Sequence, residues 1–165
     1  MKKFIRQYAA FNVWANERIS GAIDKLTDEQ FNQPLKSSFP TIRETLIHVL
    51  QAQDIWLERF KGTSPTSWPE FTGTKDELIM GLLKSSKAVE EKAKGYNKKK
   101  LKEEVHYTTL KGISGESEIY QMLAHVINHG TYHRGQLVTM LRNVGVTEIP
   151  ATDLIAFFRG SAAKK

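Results

Sequence analysis

His125-Val-Ile-Asn-His129-Gly-Thr-Tyr-His133-Arg-Gly-Gln136 is the stretch whose reading decides the fold. It holds three of the chain's five histidines, at steps of four residues. A helical turn takes about 3.6 residues, so all three project from one side of a helix. Ile119, Met122, Val126, Leu137, Met140 and Val144 recur around them at steps of three and four, in one line with His129 and His133. That line is the buried stripe of an amphipathic helix. His125 falls instead with Glu118, Gln121, Asn128 and Tyr132, on the polar flank. Two imidazoles one turn apart in a buried stripe each need a polar partner. They are either core histidines bonded to nearby acceptors or, given a third ligand facing them, chelators of one metal ion. A step of four rises ~6 Å, so His125 and His133 are too far apart to share an ion easily.

Outward from this helix the same period recurs. Phe4, Ile5, Tyr8, Phe11, Ala15, Ile19, Ala22, Ile23 and Leu26 predict a first helix over residues 3–26. Thr27 and Gln30 match a capping box, opening a short turn that Pro34 closes. Thr41 with Glu44 matches a second box and opens helix two, whose face runs Ile42, Leu46, Val49, Gln53, Trp56 and Phe60 and ends near Gly62. His48 lies one step off that face and can lean inward from its edge. Residues 61–73 carry Pro65, Pro69, Gly62 and Gly73 and read as a loop that Trp68 and Phe71 pack onto the body. Thr74 with Glu77 opens helix three, with Leu78, Ile79, Leu82, Leu83, Ser86 and Val89 inward and Gly95 at its end. Val105, Tyr107, Thr109 and Ile113 have strand-forming side chains around Lys111-Gly112, which predicts a short hairpin or an extended crossing loop. His106 there is given no role. Helix four is the histidine stretch, closing near Asn143 and Gly145. A short last helix over residues 153–159 has Thr152 as its expected N-cap and Phe157 or Phe158 as its anchor. The expected fold is all-α, a four-helix bundle forming one domain over residues 1–165, with loops long enough for crossovers.

Composition narrows the chemistry. Hydrophobic residues are 40% and charged residues 25% of the 165, as in ordinary globular proteins. Cysteine is absent, which excludes disulfides, thiolate metal ligands and thiol nucleophiles. Any metal site must use His, Asp, Glu and water. No apolar run approaches the ~20 residues that span a bilayer, and Arg6, Gln7, Asn12 and Asn16 interrupt the apolar run a signal peptide needs. A cytoplasmic protein without a membrane partner is expected. The net charge of +6 is concentrated between Lys84 and Lys102. Glutamates are mixed in, and Tyr96 is the one aromatic there, so the stretch reads as a solvated helix end and not a nucleic-acid surface.

No glycine-rich phosphate loop or Gly-x-Ser-x-Gly elbow is present. The segment His129-Gly-Thr-Tyr-His133 has the two histidines of a zincin but lacks the glutamate after the first, which serves there as general base. Gly130, on the inner side, clears space for a ligand or for a close-packed helix. The best constellation is His48, His129 and His133. Three neutral imidazoles on a divalent ion leave a position open for water or substrate, and they do not select the metal. An unperturbed imidazole titrates near ~6.5, so binding should weaken with acid. Asn12, Asn16 and Asp54 are candidate supporting partners.

Helix one carries the Tyr8–Asn16 pattern with Trp14 and Asn16. Helix two carries Thr-Ile-Arg-Glu-Thr-Leu-Ile-His ending at His48, then Trp56. Helix four carries Asn-His-Gly-Thr-Tyr-His-Arg-Gly-Gln-Leu over residues 128–137, Leu-Arg-x-x-Gly over 141–145, then Pro150 and Asp153. In these features the chain resembles the DinB/YfiT-like family of small metal-dependent enzymes, unrelated to the DNA polymerase that shares the DinB name. The resemblance spans nearly the whole length. It implies an up-down-down-up four-helix bundle, a homodimer, and a divalent ion, zinc or nickel, on His48, His129 and His133. It gives Arg134 and Gln136 structural roles near the site, in a buried salt bridge or hydrogen bond. Family members include transferases and isomerases that use a low-molecular-weight thiol. The expected function is therefore a thiol S-transferase acting on a small-molecule substrate. A hydrolase on the same ion and a non-catalytic, stress-related metal-binding protein are the alternatives. Val13 and Trp14 lie off the main stripe of helix one, which also suggests a covered dimer surface.

Overall fold

The computed structural model describes residues 1–162. The chain order is α1 (Lys2–Ile23), α2 (Asp28–Asn32), α3 (Ile42–Arg59), α4 (Lys75–Gly95), a 3-10 turn (Lys100–Lys102), β1 (Glu104–Thr108), β2 (Ser114–Glu118), α5 (Ile119–Asn143) and α6 (Leu154–Ala162). The four long helices form a bundle in which α1 and α3 sit diagonally and each packs on both α4 and α5. Side-chain pairs give the directions. Asn16 meets Ser86 while Lys75 reaches the carbonyls of Asp24 and Leu26, so α1 and α4 run oppositely. Gln53 meets Ser86 and Arg43 meets the Gly73 carbonyl, so α3 runs with α4. His48 lies beside His133 and Trp56 beside His125, so α3 opposes α5. The topology is up-down-down-up.

Local chemistry explains the boundaries. Thr27 and Thr74 each accept from the amide three residues on, and Gln30 and Glu77 return the bond, giving two complete capping boxes. Thr41 caps α3 by accepting from the Glu44 amide, but Glu44 does not reach back, so the box expected there is half made. The first helix stops at Ile23, three residues before the expected end, because the chain turns at residues 24–26 to enter the Thr27 cap. Gly145, at φ +91°, closes α5 with bonds from its amide to the Arg142 carbonyl and from the Val146 amide to the Leu141 carbonyl. The extended segment is a true antiparallel hairpin, register Glu104 to Glu118, turned at Gly112 with φ +77°. The last helix starts one residue later than expected, since the Asp153 carbonyl accepts its first bond and Thr152 lies outside. Phe157 anchors it against Phe11 and Trp14. Trp14 is thus covered by the chain's own C-terminal helix and Val13 is buried, which removes these two residues as signs of a dimer surface.

The core has two apolar halves. One gathers Ile19, Ile23, Phe31, Leu46, Leu78 and Leu141, the other Ile5, Phe11, Val89, Leu101, Met122 and Ile127. A polar layer lies between them, with members from all four long helices. Arg134 donates to Asn12 Oδ1 at 2.9 Å and Asn16 Oδ1 at 2.8 Å, and to Thr131 Oγ1 at 2.7 Å. Asn16 donates to Ser86 Oγ at 2.8 Å and Asn12 to Gln53 Oε1 at 3.2 Å. Arg134 is 2% exposed. Burial pushes its pKa down to about 10, which leaves it charged at neutral pH. Of the two roles expected for Arg134, a buried salt bridge or a hydrogen bond, the second holds: the charged guanidinium donates to neutral oxygens. A Cβ on Gly130 would lie 3.0 Å from both Arg134 Nη1 and Asn12 Oδ1, so this glycine makes room for the polar layer.

Candidate metal centre

The histidines of α5 and α3 meet at the level of the polar layer. His133 follows the apolar stripe inward and is 4% exposed. His129 and His48 are half-buried, His48 from the edge of α3 as expected. Their Nε2 atoms converge: His48 to His129 is 3.1 Å, and His133 to His129 is 3.1 Å. One ligand atom from each lies within 4.8 Å of the others, making a cluster that could hold a metal ion.

The hydrogen-bond chemistry tests whether an ion fits. Gln136 Nε2 donates to Ser38 Oγ at 2.7 Å and to Tyr132 Oη at 3.1 Å, which leaves Gln136 Oε1 facing His133 Nδ1 at 2.8 Å. His133 therefore carries its proton on Nδ1 and turns a lone pair at Nε2 into the cluster. His129 Nε2 lies between that lone pair and His48 Nε2, and one nitrogen cannot be a well-aligned partner to both. A single cation satisfies all three. Ligand bonds of 2.0–2.1 Å in a tetrahedral site place nitrogens about 3.3 Å apart, close to what is seen. The residues present fit a divalent ion.

The electrostatics agree. Burial first, then the His133 ring, lowers the His48 pKa to about 4. Burial first, then the neighbouring histidines, lowers that of His129 to about 3. Burial also lowers His133, opposed by its bond to Gln136. All three rings are neutral and ready to ligate at physiological pH. No carboxylate, lysine or arginine contributes to these shifts.

The other sequence candidates fall elsewhere. His125 is exposed, its ring centroid 6.1 Å from that of His129 and 4.8 Å from that of Trp56. His106 lies on the hairpin 3.4 Å from Glu116. Asn12 and Asn16 serve Arg134 and not the histidines. Asp54 accepts from Ser85 Oγ at 2.6 Å and lines a separate cavity of about 500 Å³ with Lys61, Pro65 and Lys92. The sequence reading missed the rings around the cluster. Phe39 stacks on His48 at 4.4 Å, and Trp68 meets the same ring at 5.1 Å. Both stand in irregular loops, where no periodic pattern marks an inward position.

A DinB family profile matches residues 1–161. The chain belongs to the DinB family. It is similar to Protein DinB of Bacillus subtilis strain 168, 27% identical over 162 residues, covering 91% of each chain. In structure it is similar to a DinB-like protein from Bacillus subtilis, with a TM-score of 0.69 at 15% identity, covering 89% of this chain and 98% of that one. A DinB-like protein from Bacillus cereus ATCC 10987 gives a TM-score of 0.63 at 23% identity, covering 83% and 89%. These two likenesses concern the DinB fold. Among the described residues, no helix is long and apolar enough to cross a membrane.

Proposed function

We propose that this DinB-family chain is a metal-dependent enzyme of the thiol S-transferase type, with His48, His129 and His133 holding a divalent ion, zinc or nickel. The observation that carries the reading is the convergence of three neutral imidazoles, one with its lone pair fixed inward by Gln136, in a group that among the described residues consists of histidines alone. A divalent ion bound by three neutral ligands acts as a Lewis acid and lowers the pKa of a coordinated thiol or water towards neutrality. The chain's own part is to hold the ligands and shape the space. Gln136 fixes the His133 tautomer, the Arg134 layer positions α5 against α1, and Phe39 shields one face of His48 from water. The substrate is a small molecule, the cosubstrate a low-molecular-weight thiol, and the working form a cytoplasmic homodimer.

The test begins with metal analysis of protein purified without an affinity tag. One equivalent of zinc or nickel is expected in the wild type and in His125→Ala, with at most a ten- to hundred-fold weakening in the latter. His48→Ala, His129→Ala and His133→Ala should fold, by circular dichroism, and hold none. Thiol consumption is then followed with several electrophiles. Metal-dependent consumption supports the transferase, whereas ester or amide cleavage without thiol would replace it by a hydrolase. Loss of metal in folded His125→Ala with retention in His133→Ala would overturn the ligand set.

A further inference from the structure

Three aromatic side chains from three separate segments surround the histidine cluster. Phe39, in the loop before α3, lies flat on His48, with ring centroids 4.4 Å apart and an interplanar angle of 29°, and is 5.9 Å from His133. Trp68, in the loop after α3, meets His48 edge-on at 5.1 Å. Tyr132, on α5, meets His133 edge-on at 4.9 Å. Trp68 remains 46% exposed and Tyr132 61% exposed, although large apolar rings on a surface forfeit burial.

Each ring stands at or beside a hydrogen-bonded anchor. Gln51 Nε2 donates to the Pro69 carbonyl at 2.6 Å, fixing the backbone next to Trp68. Gln136 Nε2 donates to Ser38 Oγ, next to Phe39, at 2.7 Å, and to Tyr132 Oη at 3.1 Å. The anchors come from α3 and α5, the helices that carry the histidines, so the rings keep their relation to the cluster. Packing of the hydrophobic core does not require Trp68 or Tyr132, since both present their surface to solvent beside the cluster. Three π-faces or edges with one hydroxyl suit a flat, apolar partner, which aromatic side chains hold by stacking and edge contacts.

We propose that Phe39, Trp68 and Tyr132 form the substrate collar of the cluster and select a flat, uncharged aromatic or conjugated group on the substrate. The inference deepens the enzyme reading and rests on it for the place where reaction occurs. The collar's preference for flat groups is a property of the rings and can be measured with or without metal.

The test is calorimetric titration of zinc-loaded protein, and of the same protein after chelation, with two neutral alcohols that differ in one respect. 4-Methylbenzyl alcohol has a flat ring, and 4-methylcyclohexylmethanol a saturated one. The flat alcohol is expected to bind about tenfold more tightly. Trp68→Ala, an exposed loop substitution, should reduce that ratio to about threefold or less, and Trp68→Ala with Phe39→Leu should abolish it, with zinc stoichiometry unchanged. Equal binding of the two alcohols by the wild type overturns the proposal, as does a ratio that survives in the double variant. The two readings fail separately. Absent zinc with an intact ring preference in the chelated protein sinks the metal site alone, and bound zinc without ring preference sinks the collar alone.

Discussion

Replacing Gln136 by Leu removes the acceptor that holds the His133 Nδ1 proton at 2.8 Å. His133 is then free to place that proton on Nε2, the atom facing the cluster, and the tether to Ser38 goes with it. Zinc affinity of Gln136→Leu should fall by about ten- to hundred-fold while the fold survives, measured by competition with a chromogenic chelator. Acid sensitivity is a second property of these residues. The folded-state values of about 4 for His48 and about 3 for His129 lie below the ordinary 6.5. Between 6.5 and those values the unfolded chain binds more protons than the folded one, so falling pH removes stability. The ion-free protein should therefore show a melting temperature that is flat above pH ~7, declines from there towards pH ~4, and declines less in His129→Gln. The same depression moves proton competition for the metal below the ~6.5 of a free imidazole. Zinc should stay bound at pH ~5 in folded protein, and a loss centred near ~6.5 would contradict the buried geometry.

At the scale of the helix, two glycines make opposite predictions. Gly21 lies in α1 with nothing within 4 Å of an added Cβ. Gly21→Ala should gain about 0.5–1 kcal/mol from helix propensity alone. Gly130 lies in α5, where the added methyl meets Arg134 Nη1 and Asn12 Oδ1 at 3.0 Å. The guanidinium cannot retreat without lengthening its bonds to Asn12 and Asn16, so Gly130→Ala should cost about 1–2 kcal/mol despite the better propensity. Urea titration of both variants checks the sign. The capping boxes belong to this scale too. Thr27 and Thr74 were legible because a box is a local pattern of four residues. The unreturned half of the Thr41 box was not legible, because the orientation of the Glu44 side chain depends on surroundings outside those four residues.

In the whole molecule, the polar layer ties all four long helices together. Arg134→Leu would leave the oxygens of Asn12, Asn16 and Thr131 without their shared donor inside the bundle. A loss of about 2–4 kcal/mol is expected, because buried neutral acceptors left unpaired cost about 1–3 kcal/mol each, and thermal denaturation with and without zinc would read it. The proposed dimer is a property of the same scale. With Trp14 covered by α6, the large apolar groups left open near the start of α1 are Met1 and Phe4, each 50% exposed. Light scattering should return about twice the 18.8 kDa chain mass at micromolar concentration, and Phe4→Glu should shift it towards the monomer. A monomer mass for the wild type would discard the dimer.

The helices, their stripes and the inward phase of His129 and His133 follow from the sequence by itself, because helical periodicity is a local geometric property. That phase also separated His125 from the cluster. The partnership of His48 was approachable only because it stands one step from an apolar face, and the family resemblance supplied the rest. Tertiary structure alone decided what closes around the histidines. It brought Phe39 and Trp68 from two irregular loops onto one ring, gave Gln136 to His133, and turned Asn12 and Asn16 to Arg134 and Asp54 to Ser85. The physical reason is that a buried polar atom takes whichever partner the packing of distant segments brings within about 3 Å, and sequence spacing does not encode that distance.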